Sequence, residues 1–600
     1  MSQFNIPNRQ DVPLLDQWDL THLFQHESDW ESAYTTSEKQ VELFDSFKGT
    51  LHQSKEQLLK LLHLLTQEGI LLERIMQYAF LQQTSDGGSS TYQHRYGKAQ
   101  QLITLFSSKT SFIEPEIMAI DEPTLQSWLA LAEFDDYRVM IQKMLRFKAH
   151  TLDQEQEKIM ALQQEVGSKA SEAFGALTNV DLQFGTITTD EGKVPLTQST
   201  FGSLLQHPSR SVRRRTYNKF YKVFDQHKHV LTQLYDAAVK QSMFRSRVRS
   251  YPSTLEMALF PDNVDKNVYE NLIQTVHNHI SLLHRYYEIR KRALGLKKLA
   301  HYDVYVPLVK DVKVTHTYEE AVELIKEAMA PLGQEYVDTI TRGLTTDRWV
   351  DRYENKGKRS GAFSSGTFSG PPYILMNYKE DVLRDVFTLA HEGGHSMHSY
   401  YSAKSNPYSS YDYTIFEAEV ASTFNEQLLA HHMIQKADSK ELEAYIVGKQ
   451  IDDIVATLFR QTMFAEFEMI VHHSAEQGEP ITVDSLTSKY RSLLEFYFGK
   501  DVQLFDVSAL EALRIPHFYR PFYVYKYATG LSAAIALAEG VLHHKEGAKE
   551  RYLSFLRSGG SHYPIDALKK AGVDMSSATP IEEAMNFFNE LLDRYEQLVV

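Results

Sequence analysis

A chain of 600 residues, 42% hydrophobic and 24% charged, is long enough for a large core and has the composition of a globular protein, which excludes extensive disorder. Its formal net charge of −15 argues against nucleic acid or an anionic membrane as the principal partner. Cysteine is absent, so disulfides and thiolate-rich structural zinc sites are excluded, and any metal must be held by His, Asp or Glu.

The N-terminal segment, residues 1–10, lacks the basic region followed by an apolar stretch that marks a secretory signal. No apolar run reaches the roughly 18 residues that suit a transmembrane helix. The nearest candidate, residues 531–542, is short and contains Glu539, which is typical of a buried helix. We therefore expect a cytoplasmic protein without a membrane partner.

Three segments are predicted along the chain. Residues 1–120 form an N-terminal helical lobe, because runs such as 56–65 are rich in strong helix formers at helical spacing. Residues 121–200 continue as helix and then alternate apolar and polar residues over 180–187, which predicts a β-hairpin at the lobe junction. Residues 201–600 carry the motifs described below and form the third segment.

Helical periodicity fails between residues 342 and 379, where glycine and proline separate short β-prone pieces. Two of these pieces, 360–364 and 373–378, predict a small β-sheet directly before the helix described next. An extended peptide can pair with an open sheet edge through its backbone, which gives affinity with little sequence preference.

The pattern His-Glu-x-x-His occurs at residues 391–395 within an apolar helical stretch. Side chains four apart share a helix face, so His391 and His395 can bind one metal ion, while Glu392 is turned aside and can reach a metal-bound water. With 25 histidines in the chain, the motif arises by chance on the order of 0.1 times. The alternative is two core or surface histidines beside a solvated glutamate.

Two adjacent glycines, Gly393 and Gly394, lie inside the same predicted helix. Each costs about 1 kcal/mol of helix stability relative to alanine. We therefore expect a neighbouring strand or helix to approach the backbone closely at this point.

A catalytic zinc site of this kind needs a third protein ligand, and a glutamate on a following helix would complete a two-histidine, one-carboxylate set. The helix predicted over residues 415–426 carries both Glu417 and Glu419. Periodicity does not choose between them, because each has apolar neighbours on its own face. For either residue the alternative is a surface salt bridge.

A second unusual stretch, residues 515–530, combines a high density of tyrosine with one histidine, His517. His517 and the tyrosines of this stretch are candidate proton donors aimed at an oxyanion. The alternative is an aromatic core or a helix at an interface.

The segment 391–398, the segment 419–423, and His517 with Tyr523 and Tyr527 together resemble the thimet-oligopeptidase-like zinc metallopeptidases and, within them, the oligoendopeptidase F group. Residues 18–20 near the start and 564–574 near the end also fit this pattern. The resemblance therefore spans nearly the whole chain.

The resemblance implies one zinc ion per chain and Glu419 as the third ligand, since the family's carboxylate opens a Glu-x-x-Ser-like segment about two dozen residues after the second histidine. It implies a mainly α fold in which two helical lobes enclose a deep substrate channel, with a small β-sheet next to the zinc-binding helix. Residues 201–600 would be the catalytic domain. Such a channel admits short unfolded peptides and excludes folded proteins.

The implied activity is hydrolysis of internal peptide bonds by a zinc-activated water, with Glu392 as general base. His517 and Tyr527 would hold the oxyanion, with Tyr523 as the second choice, because Gly530 stands near where some relatives have another tyrosine. One alternative is an exopeptidase of the same chemistry, either a carboxypeptidase or a dipeptidyl carboxypeptidase. Another is a helical peptide-binding protein with a vestigial zinc site.

Overall fold

The computed structural model describes residues 6–309 and 314–600. The chain divides into two compact units, each built from three chain segments. The segments of the first unit are Met1–Lys148, Lys313–Met433 and Leu537–Val573, and those of the second unit are Ala149–Val312, Ile434–Ala536 and Asp574–Val600. The boundaries at residues 120 and 200 stay predictions.

Helices dominate the described residues, and the expected mainly α fold class is confirmed. The helices before residue 300 are α1 (Glu27–Val41), α2 (Lys55–Ser85), α3 (Ser90–Thr110), α4 (Ile113–Ala119), α5 (Glu122–Leu129), α6 (Asp135–Leu145), α7 (Gln154–Gly167), α8 (Lys169–Ala176), α9 (Gln198–Leu205), α10 (Arg210–Val248), α11 (Thr254–Leu259), α12 (Lys266–Asn278) and α13 (Ile280–Ala293). The later helices are α14 (Tyr318–Ala328), α15 (Gln334–Leu344), α16 (Leu383–Ser405), α17 (Ile415–Lys436), α18 (Lys440–Ile454), α19 (Arg460–Glu476), α20 (Val483–Phe498), α21 (Tyr525–Leu542), α22 (Ala548–Ser558), α23 (Pro564–Lys570) and α24 (Thr579–Val599).

Side-chain caps explain where several of these helices begin. The Ser54 hydroxyl accepts a hydrogen bond from the amide of Gln57 at the start of α2. Thr317 and Glu320 form a reciprocal capping box at the start of α14. Such contacts satisfy amide groups that have no partner within the helix, and each contributes about 1 kcal/mol of stability.

Three small sheets complete the fold of the described residues. They are the antiparallel hairpin of β1 (Thr186–Thr189) and β2 (Gly192–Pro195), the parallel pair of β3 (Leu299–Ala300) and β7 (Val502–Gln503), and a three-stranded sheet of β4 (Val350–Asp351), β5 (Phe363–Ser365) and β6 (Tyr373–Leu375) in the order β4-β6-β5. The three-stranded sheet is the one predicted to precede the metal helix.

The three-stranded sheet is fixed to the N-terminal helices of the first unit. Leu72, Ile75 and Ala79 of α2 share one buried cluster with Tyr373 and Leu375 of β6. Burying a side chain of this size contributes about 1.5–3 kcal/mol. The sheet therefore has a rigid backing on the side where α2 lies.

The β-hairpin is shorter than the alternating pattern indicated. The segment Leu177–Asp181 forms a π-helical turn, and the first strand begins only at Thr186. Leu182 and Phe184 are buried as the alternation requires, and Phe184 stacks on Phe220 of α10. Gly185 has a φ of +72°, which interrupts the extended chain between this buried stretch and the strand.

None of the helices in the described part of the chain has the length and the apolar character that crossing a membrane requires. Helix α21, which contains the apolar stretch 531–542, is almost entirely buried along that stretch. The prediction that this stretch is a buried helix is therefore confirmed.

Candidate metal centre

Two neighbouring helices of the first unit bring the predicted ligands together. His391 and His395 lie one turn apart on α16, with ring centroids 4.8 Å apart. Glu419 lies on α17, and its Oε2 is 3.5 Å from Nε2 of His391 and 3.8 Å from Nε2 of His395. One nitrogen or oxygen atom from each of the three residues lies within 4.8 Å of the others.

This cluster has the dimensions of a zinc site. Ligand bonds of about 2.0–2.1 Å in a tetrahedral arrangement place neighbouring ligand atoms about 3.3 Å apart. The separations of 3.5 Å and 3.8 Å come close to that value. The donor set of two imidazoles and one carboxylate is also the set found at catalytic zinc, with one position left open. The residues therefore fit the metal.

Both histidine rings have a hydrogen-bond partner besides Glu419. Nδ1 of His391 lies 2.6 Å from Oε1 of Glu426, and the ring of His395 hydrogen-bonds the backbone carbonyl of Ala418. The contact at His391 occupies Nδ1, and Nε2 of each ring lies within 3.8 Å of Glu419. Partners of this kind fix the tautomer of a metal-binding histidine and strengthen its metal affinity.

The two imidazoles have opposite pKa shifts. Burial lowers the pKa of His391, but the hydrogen bond and charge of Glu426 outweigh it and raise the pKa to about 9. Burial, together with the charge of His391, lowers the pKa of His395 to about 3. The pKa values of the two rings thus differ because the carboxylates around His391, above all Glu426, outweigh its burial, while His395 is lowered by burial and by the charge of His391.

Glu392 occupies a buried position next to the cluster. The residue is 7% exposed, and the backbone amide of Ser364 on β5 hydrogen-bonds its carboxylate. Burial raises the pKa of Glu392 to about 7. A carboxyl group in this state is suited to exchanging protons near neutral pH.

The structure distinguishes the two glutamates of α17 that periodicity left open. Glu417 is fully buried, and its Oε2 accepts hydrogen bonds from the amide and the hydroxyl of Thr414 at 3.2 and 3.3 Å. Glu419 instead lies with the histidines, and Ser422 donates a hydrogen bond of 3.3 Å to its Oε2. The geometry thus favours Glu419 as the metal ligand. Glu417 instead accepts hydrogen bonds from Thr414, directly before the first residue of α17.

The close approach expected at the paired glycines occurs at Gly394. A Cβ atom there would lie 2.5 Å from the carbonyl oxygen of Ala421 and 2.7 Å from Cα of Ser422. At Gly393 the nearest atom would be Cδ1 of Ile340, at 3.1 Å. Gly394 therefore permits the direct contact of α16 with α17 that sets His395 against Glu419.

Replacing Gly394 by alanine is expected to destabilise the protein and weaken zinc binding together, because the added methyl group forces α17 away from α16. Overpacking of this kind costs about 1–3 kcal/mol of unfolding free energy. Chemical denaturation and zinc titration measure the two effects. Gly97 of α3, where a Cβ would meet nothing within 4 Å, is the matched control, and Gly97→Ala is expected to stabilise by up to about 1 kcal/mol. Equal changes in unfolding free energy and in zinc affinity in Gly394→Ala and Gly97→Ala would contradict a close contact of α16 with α17 at Gly394.

A buried amide provides a second connection between the two ligand helices. Asn425 of α17 donates a hydrogen bond of 3.2 Å to the backbone carbonyl of Ala390, which directly precedes His391. The hydroxyl of Tyr336 donates to Oδ1 of Asn425 at 3.0 Å. Both partners are fully or almost fully buried, so the register of the two helices is fixed next to the metal position.

The predicted oxyanion donors form a cluster of their own in the second unit. His517 lies on the 3₁₀ turn Pro516–Tyr519, Tyr523 precedes α21, and Tyr527 lies in its first turn. The hydroxyl of Tyr527 donates to that of Tyr523 at 3.1 Å. The ring of His517 lies 6.4 Å from that of Tyr523 and 6.2 Å from that of Tyr527. Burial lowers the pKa of His517, which keeps its ring neutral near pH 7.

An unusual backbone conformation holds the tyrosines. Phe522 has a φ of +57°, which is rare for an aromatic residue and is strained unless neighbouring groups impose it. Its amide donates a hydrogen bond of 3.1 Å to Oε1 of Glu468, which is fully buried, and its ring lies 4.8 Å from that of His472. Glu468 is thus a positioning residue for the segment that carries Tyr523.

Three residues that support predicted site residues were not predicted from the sequence, namely Glu426, Asn425 and Glu468. Glu426 stands seven positions after Glu419 on the same helix, and this two-turn spacing on a ligand helix was the one available signal. Asn425 and Glu468 had no comparable signal, because their partners are backbone groups far away in the sequence.

Comparisons with known proteins agree on the family. Residues 203–587 match peptidase family M3, and residues 116–184 match oligopeptidase F. An oligoendopeptidase F homolog from Borreliella burgdorferi is 41% identical over 601 residues, covering 98% of this chain and 99% of that protein. The oligopeptidase PepF of Bacillus subtilis is 40% identical over 597 residues, covering 99% of this chain and 89% of that protein.

Solved structures give the same result. A peptidase from Chlamydophila abortus superimposes with a TM-score of 0.93 at 36% identity, covering 99% of this chain and 100% of that one. The oligoendopeptidase F of Enterococcus faecium superimposes with a TM-score of 0.73 at 33% identity, covering 96% of this chain and 99% of that one. The family model and the full-length relatives confirm the resemblance that the motifs indicated. The chain therefore belongs to peptidase family M3, as a metallopeptidase of the oligoendopeptidase F group.

Proposed function

We propose that the protein is a zinc-dependent endopeptidase that hydrolyses internal bonds of short, unfolded oligopeptides. The observation that carries this proposal is the cluster of His391, His395 and Glu419, with the buried carboxyl group of Glu392 next to it. These three residues would hold one zinc ion per chain. When bound, zinc supplies Lewis acidity, which polarises the scissile carbonyl and makes water acidic enough to react near neutral pH.

In this mechanism Glu392 moves the proton. Its carboxylate takes a proton from the attacking water and then passes it to the nitrogen of the leaving amine. A pKa of about 7, raised by burial, lets the same group act as base and then as acid. The hydrogen bond from the Ser364 amide orients the carboxylate for both steps.

The charge that develops on the scissile carbonyl oxygen needs hydrogen-bond donors. We assign this role to His517 and Tyr527, with Tyr523 as the second choice. The hydrogen bond of 3.1 Å from the Tyr527 hydroxyl to the Tyr523 hydroxyl supports treating the two as one group of donors. A preorganised donor of this type typically stabilises the transition state by about 3 kcal/mol.

Strand β5 is the proposed docking edge for the peptide backbone. Among the described residues β5 pairs with no strand other than β6, so a peptide would pair with the backbone groups of β5 that the contacts of Ser364 with Glu392 and of Ser365 with Gln77 leave free. The same strand contributes Ser364, whose hydroxyl lies 2.8 Å from that of Ser396 on α16. A peptide paired with this edge would be bound through its backbone, which suits an enzyme that accepts many sequences.

We also propose a cytoplasmic location, with short peptides as substrates and neither nucleic acid nor a membrane as partner. The absence of cysteine supports this, because stability then needs no oxidising compartment. The net charge of −15 disfavours polyanionic partners.

The deciding experiment is hydrolysis of an internally quenched peptide, blocked at both ends, by the purified protein with its zinc content measured in parallel. Internal cleavage that stops with o-phenanthroline and returns with added zinc is the expected result. Cleavage only of peptides with a free C-terminus would instead establish the exopeptidase alternative. No cleavage by the zinc-loaded protein would contradict both.

Replacing Tyr527 by phenylalanine is expected to lower kcat by about 10²–10³ and to change KM much less, because the lost hydrogen bond acts mainly in the transition state. Steady-state kinetics on the blocked peptide measure both constants. Tyr523→Phe removes the neighbouring hydroxyl and serves as the matched control, with a smaller expected effect. An unaffected kcat in Tyr527→Phe together with a reduced kcat in Tyr523→Phe would transfer the role to Tyr523.

A further inference from the structure

A cavity of about 620 Å³ lies within the second unit and extends to His517. Its size is that of a small-molecule or side-chain binding pocket. Its walls come from α9, α13, the start of α19 and the segment that ends at His517. The aromatic residues that line it are Phe201, Tyr286, Tyr287, Tyr305, Phe464 and Phe498.

One wall of this cavity carries an excess of positive charge. Arg460 and Arg514 both line it, and both pair with Oε1 of Glu511, at 2.9 and 3.0 Å. Oε2 of Glu511 accepts a hydrogen bond of 2.9 Å from the hydroxyl of Tyr490. Burial raises the pKa of Glu511, but the charges of Arg460 and Arg514 outweigh it and hold the pKa well below its usual range. One carboxylate thus faces two guanidinium groups.

The other acidic residues of the cavity already have partners. Asp452 accepts a hydrogen bond from the hydroxyl of Tyr286, which in turn accepts one from the buried Arg290. Asp453 forms an ion pair of 2.7 Å with Lys449. Each of these two aspartates thus has a partner other than Arg460 and Arg514.

Two hydrogen-bond donors in the cavity are not saturated by protein groups. A guanidinium has five N–H donors. Nη2 of Arg460 pairs with Glu511, and within the described residues its only other hydrogen bond is from Nη1 to the Met463 thioether, a weak acceptor at 3.9 Å. The guanidinium also lies over the rings of Phe464 and Phe498, at 4.8 and 5.7 Å from their centroids. The hydroxyl of Tyr305, which also lines the cavity, has no hydrogen-bond partner in the described part of the chain.

We propose that this cavity binds a carboxylate of the peptide substrate, with Arg460 as its principal partner and Tyr305 as a second donor. The carboxylate belongs either to an acidic side chain or to a free C-terminus. A guanidinium binds a carboxylate through two parallel hydrogen bonds, and the Arg460 side chain that would make them is only 16% exposed, which limits competition from water. This inference rests on the proposed peptidase function, because the cavity is linked to the reaction through His517, which lines it and is a proposed oxyanion donor.

The test compares peptides that differ only in charge. One series, blocked at both ends, carries Glu or Gln at successive positions on either side of the cleaved bond, and a second series ends in a free carboxylate or an amide. At one position, or at the terminus, the charged peptide is expected to have a kcat/KM at least about tenfold higher than its neutral counterpart. The first series detects an acidic side chain and the second detects the C-terminus.

Arg460→Gln is expected to reduce this ratio to about one. Arg491→Gln is the matched control, since Arg491 lies in the same unit outside the cavity, pairs with Glu495 at the surface, and should leave the ratio and the rate unchanged. Arg460→Lys, which keeps the charge but loses the planar fork, is expected to retain part of the preference. A purely structural role for Arg460 would slow charged and neutral peptides equally and leave the ratio intact.

The proposal is overturned if the wild-type protein shows no charge preference in either series, or if Arg460→Gln keeps the wild-type ratio. If no peptide is cleaved at all, the proposed peptidase function fails, and the cavity is tested separately by calorimetry with the same peptide pairs. If the wild-type protein binds the charged peptide more tightly than the neutral one, and Arg460→Gln loses this difference, the proposed carboxylate site is still supported. Equal binding of the two peptides by the wild-type protein rejects it.

Discussion

Replacing Glu392 by glutamine is expected to lower kcat for peptide hydrolysis by about 10²–10⁴ while zinc stays bound, because proton transfer by a positioned side chain typically contributes this factor. Glutamine has the shape of glutamate but cannot take a proton from water. The carboxyl group of Glu392 is buried beside the cluster and is not one of its three ligands. Zinc content by elemental analysis and turnover of a blocked, quenched peptide measure the two properties separately.

The control for this variant is Glu335→Gln, which removes the same charge from an exposed position on α15 in the same unit. It is expected to retain full activity and full zinc content. Normal turnover in Glu392→Gln would exclude Glu392 as the general base. Loss of zinc in Glu392→Gln would instead make it a metal ligand.

Replacing His391 by alanine is expected to weaken zinc binding by more than about 100-fold and to abolish hydrolysis. Losing a residue that only orients a ligand already costs about 10–100-fold in metal affinity, so losing a ligand costs more. Because zinc binds only the folded protein, a concentration 100 times the dissociation constant stabilises it by about 2.7 kcal/mol. Adding a chelator should therefore lower the melting temperature of the wild-type protein and leave that of His391→Ala unchanged.

Glu426→Gln provides the graded comparison for His391→Ala. It removes the negative charge at Nδ1 of His391 but leaves all three ligands, so its loss of zinc affinity should lie between those of the wild type and His391→Ala. Equal zinc affinity in Glu426→Gln and the wild type would show that the contact does not orient the ring. Full zinc occupancy in His391→Ala would show that His391 is not a zinc ligand.

The sequence sufficed for features that depend on helical spacing. Residues four apart on a helix share a face, so the pairing of His391 with His395 followed from their positions alone. Two glycines in an apolar helix predicted a close neighbour, and Gly394 lies against the backbone of Ala421. In each case a local rule was enough, because the helix that carries these residues forms as its periodicity predicts.

Features set by contacts between distant segments could not be predicted from the sequence. Glu417 and Glu419 are equivalent in periodicity, and only the packing of α17 against α16 separates them. Glu426 lies 35 residues from His391, and Glu468 lies 54 residues from Phe522. The left-handed conformation of Phe522 is imposed by its surroundings, since nothing in the intrinsic preference of phenylalanine favours it.

The order of the segments along the chain has a consequence for protein synthesis. Helices α16 and α17 pack against α22, where Phe555 lies 5.2 Å from the ring of His398 and Tyr552 stacks on Phe424 at 3.7 Å. Domains commonly fold in order as they leave the ribosome. Here α16 and α17, which carry the proposed zinc ligands, are made about 150 residues before α22. In a nascent chain the contacts of α16 and α17 with Tyr552 and Phe555 should therefore form only after residues 548–558 have left the ribosome.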